Sequence, residues 1–202
     1  MDIGDVKMRF SIVISSLFIL TGLAFVGYGL YEKVKIDRKT EQAMEAALEM
    51  ITSRDNIEDM LEKPVDWNPG FGDVVGILKI RKISAELPIV AGTDPDDLEK
   101  GVGHYTGSSY PGEIGQIVLS GHRDTVFRRL GELQMGDEFI VAMPYGDFVY
   151  EIYDYKIVDE DDLSIITLQK EKEDLLLTTC YPFSFVGNAP ERYILYAKPK
   201  DT

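Results

Sequence analysis

The stretch FSIVISSLFILTGLAFVGYGLY, from Phe10 to Tyr31, carries no charged residue and no proline, and no other feature constrains the chain as strongly. As a helix rising about 1.5 Å per residue, it reaches across a hydrocarbon core of about 30 Å. A cleaved signal peptide has a shorter apolar stretch and a small-x-small cleavage site, for which Gly27 and Gly29 make a poor candidate. Residues 10–31 are therefore read as an uncleaved transmembrane anchor behind a short N-terminal tail, residues 1–9. Lys7 and Arg9 precede the anchor, whereas Lys33, Lys35, Arg38 and Lys39 follow it. Taken literally, the positive-inside rule leaves the large C-terminal part in the cytoplasm. A second apolar run of this length does not follow, and the expectation is a single membrane pass.

Residues 32–72 form a stalk and linker in this reading. Asp37 to Glu62 contains no glycine and spaces Met44, Leu48 and Ile51, then Ile57, Met60 and Leu61, at three-to-four-residue intervals, which predicts a charged stalk or packing helix. Pro64 to Asp73, PVDWNPGFGD, is a linker by its Pro and Gly content, with Trp67 as a docking anchor. From Val74 the pattern changes to short β-type runs between turns: VVGILKI, ISAELPIV, IGQIVLSG, DEFIVAM, DFVYEIYDYKIV, DLLLTTCY and RYILYAK. Strands at this density predict a closed or nearly closed all-β domain over residues 73–202, with two short helical pieces at Asp94–Lys100 and Thr125–Gly131.

Charge and cysteine content exclude several functions. With 21 Lys and Arg against 35 Asp and Glu, the formal net charge is −14. Such a chain is repelled by phosphate backbones and anionic lipid surfaces, so its partners are neutral or cationic and do not include nucleic acid. The single cysteine, Cys180, rules out an intramolecular disulfide and a multi-Cys zinc site. Asp96-Asp97 and Asp159-Glu160-Asp161-Asp162 lack the spacing of a calcium loop and read as solvated acidic loops. Neither a metal nor a cofactor is expected.

Cys180 ends the apolar run LLLTTC just before Tyr181-Pro182, at the end of an expected strand. It is either a small buried hydrophobe or a nucleophile facing a cleft. A nucleophilic thiol needs a basic neighbour, because an unassisted one is mostly protonated at neutral pH. His122, in IVLSGHRD, also follows a β-type run and a glycine, which brings it to the same rim. Arg192 opens the last run; if its strand pairs with that of Cys180, a permanent cation stands beside the thiol to stabilise an oxyanion. The second histidine, His104 in GVGHYTG, sits in a Gly-rich turn and is read as a satisfied structural residue.

Leu177-Thr178-Thr179-Cys180, the stretch Ser120-Gly121-His122-Arg123-Asp124 and Arg192 together resemble the catalytic signatures of sortases, the membrane-anchored cysteine transpeptidases of Gram-positive bacteria, in the same His, Cys, Arg order. The resemblance covers roughly Asp73 to Lys198, and APERYILY around Arg192 looks most like class D. It implies an eight-stranded sortase-type β-barrel with short helices behind one transmembrane helix, with the N-terminus cytoplasmic and the domain outside the cell, against the flanking charges. It further implies that Cys180 attacks the Thr carbonyl of a Leu-Pro-X-Thr-Gly/Ala sorting signal on a surface protein and forms a thioacyl enzyme. His122 then moves the protons, and Arg192 holds substrate and oxyanion. The acceptor implied is an amine of the peptidoglycan precursor, and no cofactor takes part. Thr179, and with it Ser120, matches positions lining the signal-binding groove, whose wall comes from the Ile157–Asp174 connection. Leu163, Ile165 and Ile166 there either receive the Leu-Pro part or pack in the core. The competing functions are a cysteine peptidase acting on wall peptides and an anchored β-domain that binds wall components without turnover.

Overall fold

The computed structural model of the chain describes residues 3–53, 67–185 and 187–200, the side chains of residues 3–9 and 11 excepted. The chain divides into two compact units, Met1–Lys39 and Thr40–Thr202. Helix α1 (Ile3–Thr52) carries, among the described residues, the one segment long and apolar enough to cross a membrane. Phe18 and Phe25 are 73% and 74% exposed there, as suits side chains meant for lipid. The anchor and the charged helix expected after it are one element. Between Tyr31 and Thr52 there is no proline or glycine to interrupt the hydrogen-bond ladder. The expected helical positions Ile57, Met60 and Leu61 lie outside the described residues.

In the second unit the chain forms β1 (Val74–Ile80), β2 (Ala85–Ala91), α2 (Pro95–Leu98), β3 (Val102–His104), β4 (Gln116–Ser120), β5 (Glu138–Met143), β6 (Gly146–Asp159), β7 (Asp174–Tyr181) and β8 (Glu191–Pro199). These eight strands close into a barrel in the order β1-β2-β3-β4-β7-β8-β6-β5, with β5 pairing back onto β1. Alternation sets its faces: Leu175 and Leu177 of β7 and Leu195 and Ala197 of β8 enter the main core, while Leu176, Ile194 and Tyr196 turn outward into a smaller cluster with Val158 and Ile165. The seven β-type runs each supply a strand. The eighth, β3, is three residues long with a central glycine, too short for a periodic signal, and His104 ends this strand instead of sitting in a turn. The helix expected at Thr125–Gly131 is a series of turns closed by a 3-10 turn at Leu130–Glu132.

Within the second unit the end of α1 packs on the barrel wall. Ala47, fully buried, meets Ile77 of β1 and Ala142 of β5, flanked by Met44 and Ile51, and Thr40 Oγ1 donates to the Glu99 carbonyl at 3.1 Å. A small residue is needed where a helix lies this close to a sheet. Ala47→Leu is expected to cost about 1–3 kcal/mol through overpacking. Denaturant unfolding of the full chain checks this, and an unchanged midpoint would mean that the helix end is not seated there.

Asp174, at the start of β7, is 8% exposed and accepts a hydrogen bond from Tyr153 Oη at 2.9 Å. Burial raises its carboxyl above the ordinary carboxylate range, against the Tyr153 hydrogen bond and Lys172, which pull it down. A folded-state value above the unfolded one means that the folded chain binds more protons, so this group lowers stability as pH rises through that range. Asp174→Asn keeps an acceptor for Tyr153 and removes the desolvated charge. It is expected to raise Tm at pH 7 and to lose that advantage below the carboxylate range, as thermal melts at the two pH values would register.

Candidate active site

Strand pairing brings His122, Cys180 and Arg192 onto one rim. β4 and β7 are parallel, with Ser120 opposite Thr178, so His122 and Cys180 each lie two residues beyond the same rung. β7 and β8 are antiparallel, and Cys180 is the direct partner of Arg192. On both strands these positions alternate with core-facing ones, which puts the thiol and the guanidinium on the outward face. They line a cleft of about 430 Å³ together with His122, Arg123, Asp124 and Glu160. A larger cleft of about 800 Å³, lined by Tyr155, Tyr181, Phe183 and Tyr193, contains no thiol or imidazole. Chemistry, more than volume, therefore marks the candidate site.

The guanidinium is held by its own loop. Arg192 Nη1 donates to the carbonyls of Ala189 at 3.1 Å and Glu191 at 3.0 Å, and Nη2 lies 3.5 Å from the Glu160 carboxylate. Glu160 N in turn donates to the Pro190 carbonyl at 2.9 Å, tying the β6–β7 connection to the β7–β8 connection. The acidic run Asp159–Asp162 thus has local tasks beyond solvation: Glu160 faces Arg192, and Asp162 accepts from Ser164 N at the 3-10 turn Leu163–Ile165. Cys180 is half-buried and is a free thiol.

None of the other residues singled out by sequence lines this cleft. Thr179 is 3% exposed, on the inward face of β7, with its hydroxyl donating to the Gly121 carbonyl at 2.7 Å. Ser120 is the last residue of β4, half-buried and paired with Gly103 and Thr178. Leu163 is 72% exposed, Ile165 packs on Leu176 and Ile194, and Ile166 is half-buried just after the turn. Ile165 does share the outward face of the sheet with Cys180. His104 is buried on β3, with Nε2 2.9 Å from the Ser109 carbonyl and 3.1 Å from Ser108 Oγ and its ring stacked on Tyr110 at 3.9 Å. Trp67 packs edge-on against Tyr110 and Tyr145.

Sequence reading missed Gln116. Its buried side chain donates through Nε2 to the Ile165 carbonyl at 2.9 Å and accepts at Oε1 from Leu168 N at 3.0 Å. Both partners belong to the β6–β7 connection, where Leu168 has a left-handed φ of 49°, a conformation that a branched side chain adopts only when held. No local signal marks a glutamine that acts 49 and 52 residues away. Gln116→Leu removes both bonds and leaves two part-buried backbone groups without their partner, each at up to about 1–3 kcal/mol. The expected result is a lower Tm together with a higher KM for any substrate bound against that connection; steady-state kinetics showing Tm alone affected would confine Gln116 to stability.

The family model for the sortase domain matches residues 78–200. Sortase D of Bacillus subtilis strain 168 is 55% identical over 192 residues, covering 92% of this chain and 97% of that protein. Among solved structures, a Clostridium perfringens sortase D5 transpeptidase superposes with a TM-score of 0.66 at 24% identity, covering 81% of this chain and 99% of that one, a likeness of fold. Clostridium perfringens sortase C, solved with the C-terminal cell wall sorting motif, superposes with a TM-score of 0.61 at 28% identity, covering 85% and 96%.

Proposed function

Since this chain belongs to the sortase family of cysteine transpeptidases, within the class D type, we propose that it cleaves a Leu-Pro-X-Thr-Gly/Ala sorting signal after Thr and joins the Thr carbonyl to an amine of the peptidoglycan precursor. The observation that carries this reading is the Cys180–Arg192 rung, with His122 on the same cleft.

With the thiol proton taken up by His122, Cys180 Sγ attacks the Thr carbonyl carbon, and negative charge gathers on the carbonyl oxygen. Arg192 Nη2, whose resting contact is Glu160, donates to that oxyanion, while the Ala189 and Glu191 carbonyls fix the guanidinium plane. The intermediate collapses by breaking the C–N bond, and His122 protonates the departing amine, leaving a thioester on Cys180. The acceptor amine then attacks the thioester carbonyl, His122 takes its proton, and the thiolate leaves as the new amide forms. Splitting the exchange into two steps at one thiol permits transfer without an external energy source, since a thioester retains the acyl group in reactive form.

Sorting-signal proteins are the donor substrates in this reading. The sorting motif held by the sortase C relative supports it, as does the net charge of −14, which favours a cationic amine over an anionic acceptor. The anchor helix keeps the enzyme at the membrane, with the N-terminus cytoplasmic and the barrel outside, against the flanking lysines, because the donor and the wall precursor amine are both reached there.

The test is mass spectrometry of the full chain in detergent, incubated with Leu-Pro-X-Thr-Gly and Leu-Pro-X-Thr-Ala peptide pools with and without an amine. A new amide at Thr that needs the amine supports the proposal. Equal cleavage with water alone would make the enzyme a peptidase, and intact peptides with no thioacyl adduct would leave a binding domain.

A further inference from the structure

His122 is the one member of the rim that no strand carries. It stands two residues beyond β4, and its distance from Cys180 has to be set by something other than a sheet ladder. Its two chain neighbours are each tied to the segment around Cys180. On one side Thr179, the residue before Cys180, donates its buried hydroxyl to the carbonyl of Gly121, the residue before His122, at 2.7 Å; Gly121 N returns a bond to the Thr178 carbonyl at 3.1 Å. On the other side Arg123, the residue after His122, donates through Nη1 to the Pro182 carbonyl at 3.2 Å and through Nη2 to the Gly187 carbonyl at 2.7 Å. The two bonds of Arg123 span the β7–β8 connection, from two residues past Cys180 to near its far end. A third tie closes the turn from behind: Phe127 N donates to the His122 carbonyl at 3.0 Å, and Phe127 is fully buried. Gly121 is packed so closely that a Cβ there would meet the side chains of Val126 and Phe127 at 2.7 Å.

We propose that Thr179 and Arg123 are positioning residues, two side-chain struts that fix the imidazole of His122 relative to the thiol of Cys180 without touching substrate. The inference rests on the His122–Cys180 pairing set out under Proposed function, and it gives Thr179 a different task from lining the signal groove. The geometry favours it on two counts. Thr179 faces the barrel interior, so its hydroxyl is unavailable to a peptide on the outward face. The guanidinium of Arg123 is the one side-chain shape that reaches two carbonyls from a single residue in a fixed fork. A transferred proton needs its donor and acceptor held at hydrogen-bond distance, and a misplacement of about 1 Å costs up to about 100-fold in rate.

The experiment compares Thr179→Val, Thr179→Ser, Arg123→Met and Arg123→Lys with wild type in the full chain. It uses steady-state kinetics on a Leu-Pro-X-Thr-Gly/Ala peptide and, separately, the pH dependence of Cys180 alkylation by iodoacetamide. Alkylation needs no peptide and reports the imidazole beside the thiol, with Asp124, Glu160 and Arg192, the other charged groups of the cleft, unchanged. The expected result is a kcat about 10- to 100-fold lower in Thr179→Val and Arg123→Met with KM within about twofold. The alkylation profile should move in both, Thr179→Ser should restore each readout, and Arg123→Lys, which reaches one carbonyl, should restore part. A raised KM with kcat retained would overturn the proposal in favour of groove contacts, and so would an unmoved alkylation profile. Should Thr179→Val not fold, Arg123→Met, changed on the half-exposed side, carries the same test. If wild type alkylates normally yet processes no sorting peptide, the functional reading fails, while the alkylation arm still decides the struts.

Discussion

On the proposed mechanism Cys180→Ala is expected to abolish transpeptidation and thioacyl formation, with a loss of the order of 10⁶-fold, the scale seen when a covalent nucleophile is removed. In that mechanism water does not take its place, because the Cys180 thioester is the form in which the acyl group waits for an amine. The substitution removes one sulfur atom from a half-buried strand-end position, so Tm should change little. A labelled signal peptide, trapped by acid quench and read by intact-protein mass spectrometry, checks the adduct directly. Residual turnover above about 1% of wild type would point to a different nucleophile, and none of the other residues lining the cleft is a thiol or a hydroxyl.

Arg192 supplies the second large effect. Arg192→Ala should lower kcat by about 10²- to 10³-fold, the range for losing one oxyanion donor. Arg192→Lys should recover little of this. The lysine ammonium is a point charge on a flexible stem and cannot bond Ala189, Glu191 and Glu160 while presenting a donor of fixed direction. Glu160→Gln separates charge from geometry: it weakens the resting ion pair at an exposed carboxylate without removing the cation. It should change kcat by less than about tenfold, since exposed pairs contribute little. If Arg192→Lys retains more than half of the wild-type kcat, the planar fork is not what stabilises the oxyanion.

The sequence was most legible where local pattern and topology agree. Leu175 to Leu177 and Tyr193 to Ala197 could be recognised as strands because β-type runs leave few other conformations, and pairing β7 with β8 then puts Cys180 opposite Arg192. β3 escaped because three residues give no period, and the join at Tyr31 escaped because lipid-facing and charged helix look like separate segments although the backbone ladder does not distinguish them. The candidate site divides in the same way. His122, Cys180 and Arg192 stood out by residue type and position. Gln116, Arg123 and Glu160 did not, since each acts on a backbone group or side chain 32 to 64 residues distant that only the closed barrel brings near. Thr179 was expected to line the signal groove; alternation with Leu175 and Leu177 turns it inward instead, onto a Gly121 carbonyl 58 residues away that no local pattern marks.

The parallel pairing of β4 with β7 also has a consequence in time. The bond between Thr179 and Gly121 joins residues 58 apart in sequence, and β4 reaches β7 only after β5 and β6 have been synthesised between them. Arg192 follows later still, on β8, the last strand of the barrel in chain order. A nascent chain that stops short of β8 therefore cannot hold the assembled rim. Such long-range contacts form late and slowly, after the entropy of closing the intervening loop has been overcome. On the proposed mechanism a chain whose β8 is still unpaired carries Cys180 without its imidazole and guanidinium partners, and barrel closure would switch the thiol on.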